Sequence, residues 1–261
     1  PGTLVTGAAD VLVDTVVPLV NGTLTFGGAD RIGGLNGSGT VNLANNANLT
    51  LGGDGDATSG ELTATFSGVI VGSGTAGLTK VSGCTLDLTG DNTYTGATAI
   101  NAGALTLSGT SASTALTVAS GASLTTTAAD RLADTAALTN AGTVNLGGSD
   151  TIGSLVNTGT INGVGATLTA ATYALNNGSV INANLGAGAL TANGTDAING
   201  NTGTGSFAVA SGATTLAGAS SAGTVSVAAA SSLTTTGTGS LADTAAVDLA
   251  NTAVLNLGQA E

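Results

Sequence analysis

Residues 9–41 read ADVLVDTVVPLVNGTLTFGGADRIGGLNGSGTV, and residues 129–161 read ADRLADTAALTNAGTVNLGGSDTIGSLVNTGTI. At an offset of 120 they align without a gap. Asp10, Asp14, Gly22, Gly27, Gly28, Asp30, Ile32, Gly33, Leu35 and Gly39 each meet an identical residue. A third copy opens at Leu241 with LADTAA, 109 residues after Leu132, and slips by two residues. It closes with Leu255-Asn256-Leu257-Gly258 against Val144-Asn145-Leu146-Gly147. The residues ahead repeat as well, GASLTTT at 121–127 against ASSLTTT at 230–236. So many identities in one ungapped window mark a repeat architecture, in which each copy is one stage of a stacked core.

A shorter beat runs inside each copy. Leu24/Phe26, Val41/Leu43, Leu49/Leu51, Leu86/Leu88, Leu105/Leu107, Leu116/Val118, Val144/Leu146, Val225/Val227 and Leu255/Leu257 are apolar pairs at spacing two. The residues between them are mostly Thr, Asn, Ser or Asp, the alternation of a half-buried strand. Gly or Asn follows within a few residues and turns the chain. Glycine this frequent would cost a helix about 1 kcal/mol at each position. The one helix-like patch, 128–138, recurs inside strand-rich surroundings and is read as loop plus strand. The expected fold is all-β, a parallel β-solenoid over residues 1–261 as a single segment, with internal repeats starting near 9, 129 and 241. At roughly 20 residues per rung it would hold about a dozen rungs and stand on the order of 60 Å tall at ~4.8 Å each.

Composition excludes several classes. The chain has 261 residues, 43 of them Gly, with three basic and fifteen acidic side chains and no His, Met or Trp. A net charge of −12 with three cations cannot neutralise a phosphate backbone, which excludes nucleic acid as a partner. Without His, and with Cys84 as the one cysteine, no zinc site and no intrachain disulfide is expected. Mean hydropathy of +0.42 argues against disorder, and two prolines exclude collagen. No apolar run reaches the length of a membrane helix, so membrane insertion of this segment is not expected. The chain opens at Pro1 and lacks methionine, which reads as a processed or excised piece with any export signal upstream. The scarcity of aromatics and charges fits a narrow solenoid interior and rungs on which like charges would stack and repel.

Residues 66–109 read FSGVIVGSGTAGLTKVSGCTLDLTGDNTYTGATAINAGALTLSG. Through FSGVI, GLTK, TLDLTGDNTYTGAT and INAGALTLSG this stretch resembles the autotransporter-associated β-strand repeat of bacterial passenger domains. The pattern at 22–43 is similar to that family's connecting region. The resemblance implies a right-handed parallel β-helix, extracellular or displayed on the bacterial cell surface, as part of a long passenger or adhesin. Cys84 departs from it, standing where the family usually has Gly.

Cys84, in phase with Leu86 and Leu88, is expected to point inward as a small hydrophobe, with a crosslinking or reactive thiol as the alternative. Asp54-Gly55-Asp56 reads as a turn, since it lacks the nonapeptide of calcium β-rolls; calcium binding is the alternative. Asp14, Asp134 and Asp243, and likewise Asp30 and Asp150, recur in the copies. An active site is needed once and a turn in every copy, so these read as Asx caps of strand corners. Lys80 and Arg31 read as solvated loop charges. Tyr94 is expected to pack at a turn, with sugar stacking as the alternative. The TTT runs at 125–127 and 234–236 lie too far apart in the chain to tile an ice-binding face.

The expected function is a non-catalytic structural one: a stiff extracellular stalk or fibre of a surface adhesin or autotransporter passenger. No catalytic, cofactor-binding or metal-ligating residue is assigned, and no cofactor is expected. The expected partners are neighbouring solenoid copies, stacked end to end as a filament, or the rest of a longer parent chain, with a host or matrix surface as a further partner. The alternative is a polysaccharide-binding or polysaccharide-degrading β-helix, for which Asp54, Asp56 and Glu61 form the densest acidic cluster.

Overall fold

The structure, a computed structural model, describes residues 2–44, 46–52, 63–203 and 205–258. Asp54, Gly55, Asp56 and Glu61 lie outside the described residues. No helix occurs among the described residues; thirty short strands do, most of them four residues or fewer. They fall into two compact units, Pro1–Ala136 and Ala137–Glu261.

In the N-terminal unit every strand pairs in parallel with the strand one coil away. One sheet runs Thr3–Thr6, Thr23–Phe26, Thr40–Leu43, Val69–Gly72. A second runs Leu19–Val20, Asn36–Gly37, Ala64–Phe66, Thr85–Leu88, Ala104–Leu107, Ser123–Thr126. A third runs Asp30–Ile32, Asn48–Leu51, Gly77–Lys80, Thr98–Ile100, Ala115–Val118. The C-terminal unit has two such stacks. One holds the longest strands, Asp150–Asn157 and Thr167–Asn176, and the other runs from Thr143–Leu146 to Val254–Leu257. Non-consecutive parallel neighbours at every step define a parallel β-solenoid in each unit, the fold class read from the sequence.

The spacing-two pairs form the core. The pattern half-buried, buried, half-buried, buried recurs in Thr23–Phe26, Thr40–Leu43, Asn48–Leu51, Thr85–Leu88, Ala104–Leu107 and Thr143–Leu146. Register then stacks inward residues on one another: Ala64, Leu86, Leu105 and Leu124 in the N-terminal unit. In the C-terminal unit the equivalent column is Leu138, Leu155, Tyr173, Leu190, Phe207 and Val225, each at most 1 % exposed. Successive members are 17, 18, 17, 17 and 18 residues apart, close to the expected rung. Each fully buried aliphatic side chain contributes roughly 1.5–3 kcal/mol. Eight of the nine pairs are buried; in the last, Leu255 is half-buried and Leu257 is 51 % exposed. The patch at 128–138 is bend and turn followed by the strand Ala137–Asn140, as read.

Backbones meet closely along a column of corner glycines. A Cβ built on Gly22, Gly39, Gly68, Gly90 or Gly109 would stand 1.9–2.1 Å from the carbonyl oxygen of the glycine one coil earlier. Gly159 stands in the same relation to Gly142 in the C-terminal unit, at 2.1 Å. No side chain fits such a contact, so the column is glycine. The repeat copies also share backbone conformation: Asp10 and Asp130 both have φ of 55°, and Gly239, 109 residues after Asp130, has φ of 58°.

Two comparisons test this wall. Leu86→Lys and Val144→Lys bury a charge in an aliphatic column and are expected to lower unfolding free energy by about 3 kcal/mol or more, whereas Thr85→Lys stays within about 0.5. Gly90→Ala and Gly159→Ala are expected to destabilise strongly, and Gly83→Ala, with nothing within 4 Å of its built Cβ, weakly. Urea denaturation reads all six.

Candidate functional site

The chemistry-bearing side chains sit at strand ends and corners. Period-two alternation in Gly77–Lys80 puts Leu78 and Lys80 on one face, and both are buried. Lys80 is 1 % exposed and stacks between Leu51 and Ile100, so the reading of a solvated loop charge is corrected. Its Nζ donates to the Ser82 carbonyl and, at 2.7 Å, to Ser82 Oγ. Ser82 Oγ in turn lies 2.8 Å from Cys84 Sγ. Cys84 is half-buried in the bend before Thr85–Leu88, not fully inward. The alternation that places Leu86 and Leu88 inside does not extend back through a corner. The resulting chain of amino group, hydroxyl and thiol anchors the turn between two strands.

Arg31 is corrected in the same way. It lies within the strand Asp30–Ile32, half-buried, and its Nε donates to the Gly52 carbonyl at 2.9 Å with Asp14 Oδ2 at 4.0 Å. Tyr94 packs fully buried, as read, with its hydroxyl 2.7 Å from Thr98 Oγ1. Burial pushes the Tyr94 phenol up from its ordinary pKa, against the opposing effect of its hydroxyl partners. The TTT runs straddle the wall: Thr126 and Thr235 are buried, whereas Thr125 and Thr234 are half-buried and Thr127 and Thr236 exposed.

The recurring aspartates divide into two roles. Asp14, Asp134 and Asp243 occupy the second position of four-residue turns. These turns are closed by the N–H of Val16, Ala136 and Ala245 donating to the carbonyls of Val13, Ala133 and Ala242 at 2.8–2.9 Å. Asp30, 5 % exposed, accepts from the Arg31 N–H on Oδ1, and from the Val11 and Leu12 N–H groups of the preceding coil on Oδ2. Its counterpart Asp150, 2 % exposed, accepts from the Thr151 N–H at 2.9 Å. Asp30 thus caps the preceding coil and Asp150 the start of its own strand, in keeping with the capping role that repetition implied. Asp91 does likewise: the Thr110 N–H and hydroxyl hold its carboxyl below the ordinary aspartate value.

A ladder missed in the sequence lies on the outer wall of the C-terminal unit. Asn162 Nδ2 donates to Asn145 Oδ1, Asn182 to Asn162, and Asn199 to Asn182, at 2.8–2.9 Å. Its signal was present as Asn recurring every 17–20 residues. Two grooves are also present: one of about 430 Å³ beside Gly2–Leu4 and 18–24, and one of about 630 Å³ beside Asn184, Asn201 and Ser221. Neither is lined by an ionisable side chain. Among the described residues no three His, Cys, Asp or Glu side chains come together as metal ligands.

Against known proteins, residues 78–107 match the passenger-associated-transport-repeat, a repeat family of autotransporter passengers. No curated protein and no solved structure matches the chain. The matched residues span the strands Gly77–Lys80 to Ala104–Leu107, and so include the Lys80–Ser82–Cys84 corner and the Tyr94–Thr98 contact. The resemblance read from TLDLTGDNTYTGAT and INAGALTLSG falls on this stretch.

If the aspartates are structural, their effects follow their bonding. Asp30→Ala orphans three N–H groups and is expected to cost about 2–3 kcal/mol, against under about 1 for Asp243→Ala in its exposed turn. Cys84→Ala, outside the strand and half-buried, is expected to cost under about 1 kcal/mol. Urea unfolding midpoints check all three.

Proposed function

We propose that the chain is a non-catalytic structural segment of a bacterial surface protein, a stiff stalk or fibre within an autotransporter passenger or adhesin. The observation that supports this most directly is the passenger-associated-transport-repeat at 78–107, embedded in coils whose inward positions are filled almost throughout by aliphatic side chains. Passenger repeats belong to secreted or cell-surface bacterial proteins, which supports an extracellular working location. The mechanism is geometric: each added coil extends the hydrogen-bonded stack, and stiffness comes from backbone bonds and packed columns.

The partners proposed are further coils, from a longer parent chain or from a second copy, and a host or matrix surface. Support for further coils comes from positions that follow the inward register yet face solvent. Val247 and Leu249 continue the columns of Val225 and Val227 but are 43 % and 46 % exposed; Leu4, above which Leu24 stacks, is 53 % exposed. Open rung faces of this kind pair with other strands.

Sedimentation of the isolated chain over a concentration series tests end-to-end association. Reversible self-association abolished by the double substitution Val247→Asp, Leu249→Asp is expected if copies stack, and a strictly monomeric species at high concentration would remove that part. Incubation with neutral and acidic polysaccharides is expected to give no turnover; cleavage by the purified chain would replace the structural reading with the polysaccharide-degrading one.

A further inference from the structure

The interior of the C-terminal unit is largely apolar, and one of its columns carries a run of polar side chains. Parallel register stacks Ile181, Ile198 and Leu216 on one another. Two residues earlier in each strand region, the column reads Ser179, Asp196, Thr214 and then Leu233. Ser179, Asp196 and Thr214 are 1 %, 2 % and 1 % exposed. Ser179 is satisfied: its Oγ reaches the Asn157 carbonyl at 2.6 Å and the Asn176 carbonyl at 2.8 Å. Asp196 Oδ1 accepts from the Ser179 N–H at 3.1 Å. Among the described residues Asp196 Oδ2 and Thr214 Oγ1 have no hydrogen-bond partner, and they belong to register neighbours.

Asp30 shows what a tolerated buried carboxylate requires in this fold, with three backbone N–H donors shared between its two oxygens. Asp196 lacks that set on Oδ2. Cationic compensation is absent as well. Residues 137–261 contain no Lys, Arg or His, and the other ionisable side chains there are Asp150, Tyr173, Asp243, Asp248 and Glu261. The strands packed on Asp196 present Ser179 and Val180–Ile181 from one side and Ala213–Leu216 from the other, none of them ionisable. Of the strands in the unit's other stack, Ala189–Asn193 and Ser206–Ser211 contain no ionisable residue either. A neutral carboxyl at this position carries a proton on an oxygen that otherwise holds an uncompensated charge in an apolar interior.

We propose that Asp196 makes the coils on either side of it acid-responsive: they close tightly when the carboxyl is protonated and loosen when it ionises. Burial raises the carboxyl above its ordinary value, outweighing the lowering effect of bonds from the Ser179 and Asn193 backbone and from the Ser179 side chain. The sign follows. With the folded value above the unfolded one, the stabilising contribution is fully present at acid pH, below the unfolded value. It is lost as pH rises through the folded value. This is opposite to the capping aspartate Asp91, whose lowered value gives stability that is lost on acidification. Proton uptake is from solvent during local opening, and no other bond is made or broken.

Hydrogen exchange on the whole chain tests this. The local reporters are the Ala197 N–H, bonded to the Ser179 carbonyl, and the Ala217 N–H, bonded to the Ile198 carbonyl, each at 2.8 Å. Asp196→Asn keeps an acceptor for the Ser179 N–H and fixes the side chain neutral. Protection factors at both amides are expected to fall in the wild type from acid to neutral pH, relative to Asp196→Asn. The gap at neutral pH should reach about tenfold, the scale of one unsatisfied buried group. Asp248→Asn, which neutralises an exposed aspartate, is expected to leave the wild-type dependence in place. Equal pH dependence in wild type and Asp196→Asn overturns the proposal. If Asp196→Asn does not fold, the wild-type carboxyl followed by carbon NMR decides: titration above the ordinary aspartate range supports the proposal, and titration at or below it overturns it.

Discussion

In a parallel stack held in register, every residue sits above its own counterpart, one strand spacing away, about 4.8 Å. Almost everything unusual about this chain follows from that repetition. A charge placed on the wall meets the next coil's charge if the position repeats, so repeated wall positions are Thr, Ser, Ala and Asn. Amides behave in the opposite way, because each has both a donor and an acceptor and can pass the bond along. The ladder from Asn145 through Asn162 and Asn182 to Asn199 is the result. Leucine, valine and isoleucine stack inside for the same reason that they repeat. At the tight corner the counterpart is a carbonyl oxygen, and only glycine can stand above it.

Because stacking makes like meet like, much of the fold was legible in the sequence. The spacing-two pairs located the inward face, since a strand alternates faces regardless of what it packs against. The copies at 9–41 and 129–161 predicted equivalent local structure, and the shared left-handed backbone at Asp10 and Asp130 shows how far the equivalence goes. The third copy substitutes Gly239 at that position, the residue that adopts the conformation with least strain. Turn and cap roles for the repeated aspartates followed from repetition alone.

The candidate chemistry was harder to read, because it sits where alternation stops. Lys80 was legible in principle, since it is two residues from Leu78 in the same strand; its charge diverted the reading to solvent. Cys84 failed in the other direction: it was counted in phase with Leu86, although a bend separates it from the strand. The partners of corner residues lie a coil away, and coil length varies. Leu49 and Leu78 are register partners 29 residues apart, whereas Leu138 and Leu155 are 17 apart. Without the register, no spacing rule could pair Asp30 with the Val11 and Leu12 N–H groups or Asp196 with the Ser179 N–H.

Those two aspartates show what sets local strength in such a stack. Both are buried at the start of a strand, and both belong to a chain with almost no cations to pair with them. What separates them is how many backbone N–H groups the adjoining residues turn toward the carboxylate. A corner that bends its amides inward converts a buried charge into a cap; a corner whose amides are already used in the ladder leaves the charge exposed to the apolar interior. The supply of unused N–H groups is therefore the scarce quantity in a solenoid, since regular pairing consumes them coil after coil. Polar residues inside such a fold are tolerated according to that local supply rather than to their depth.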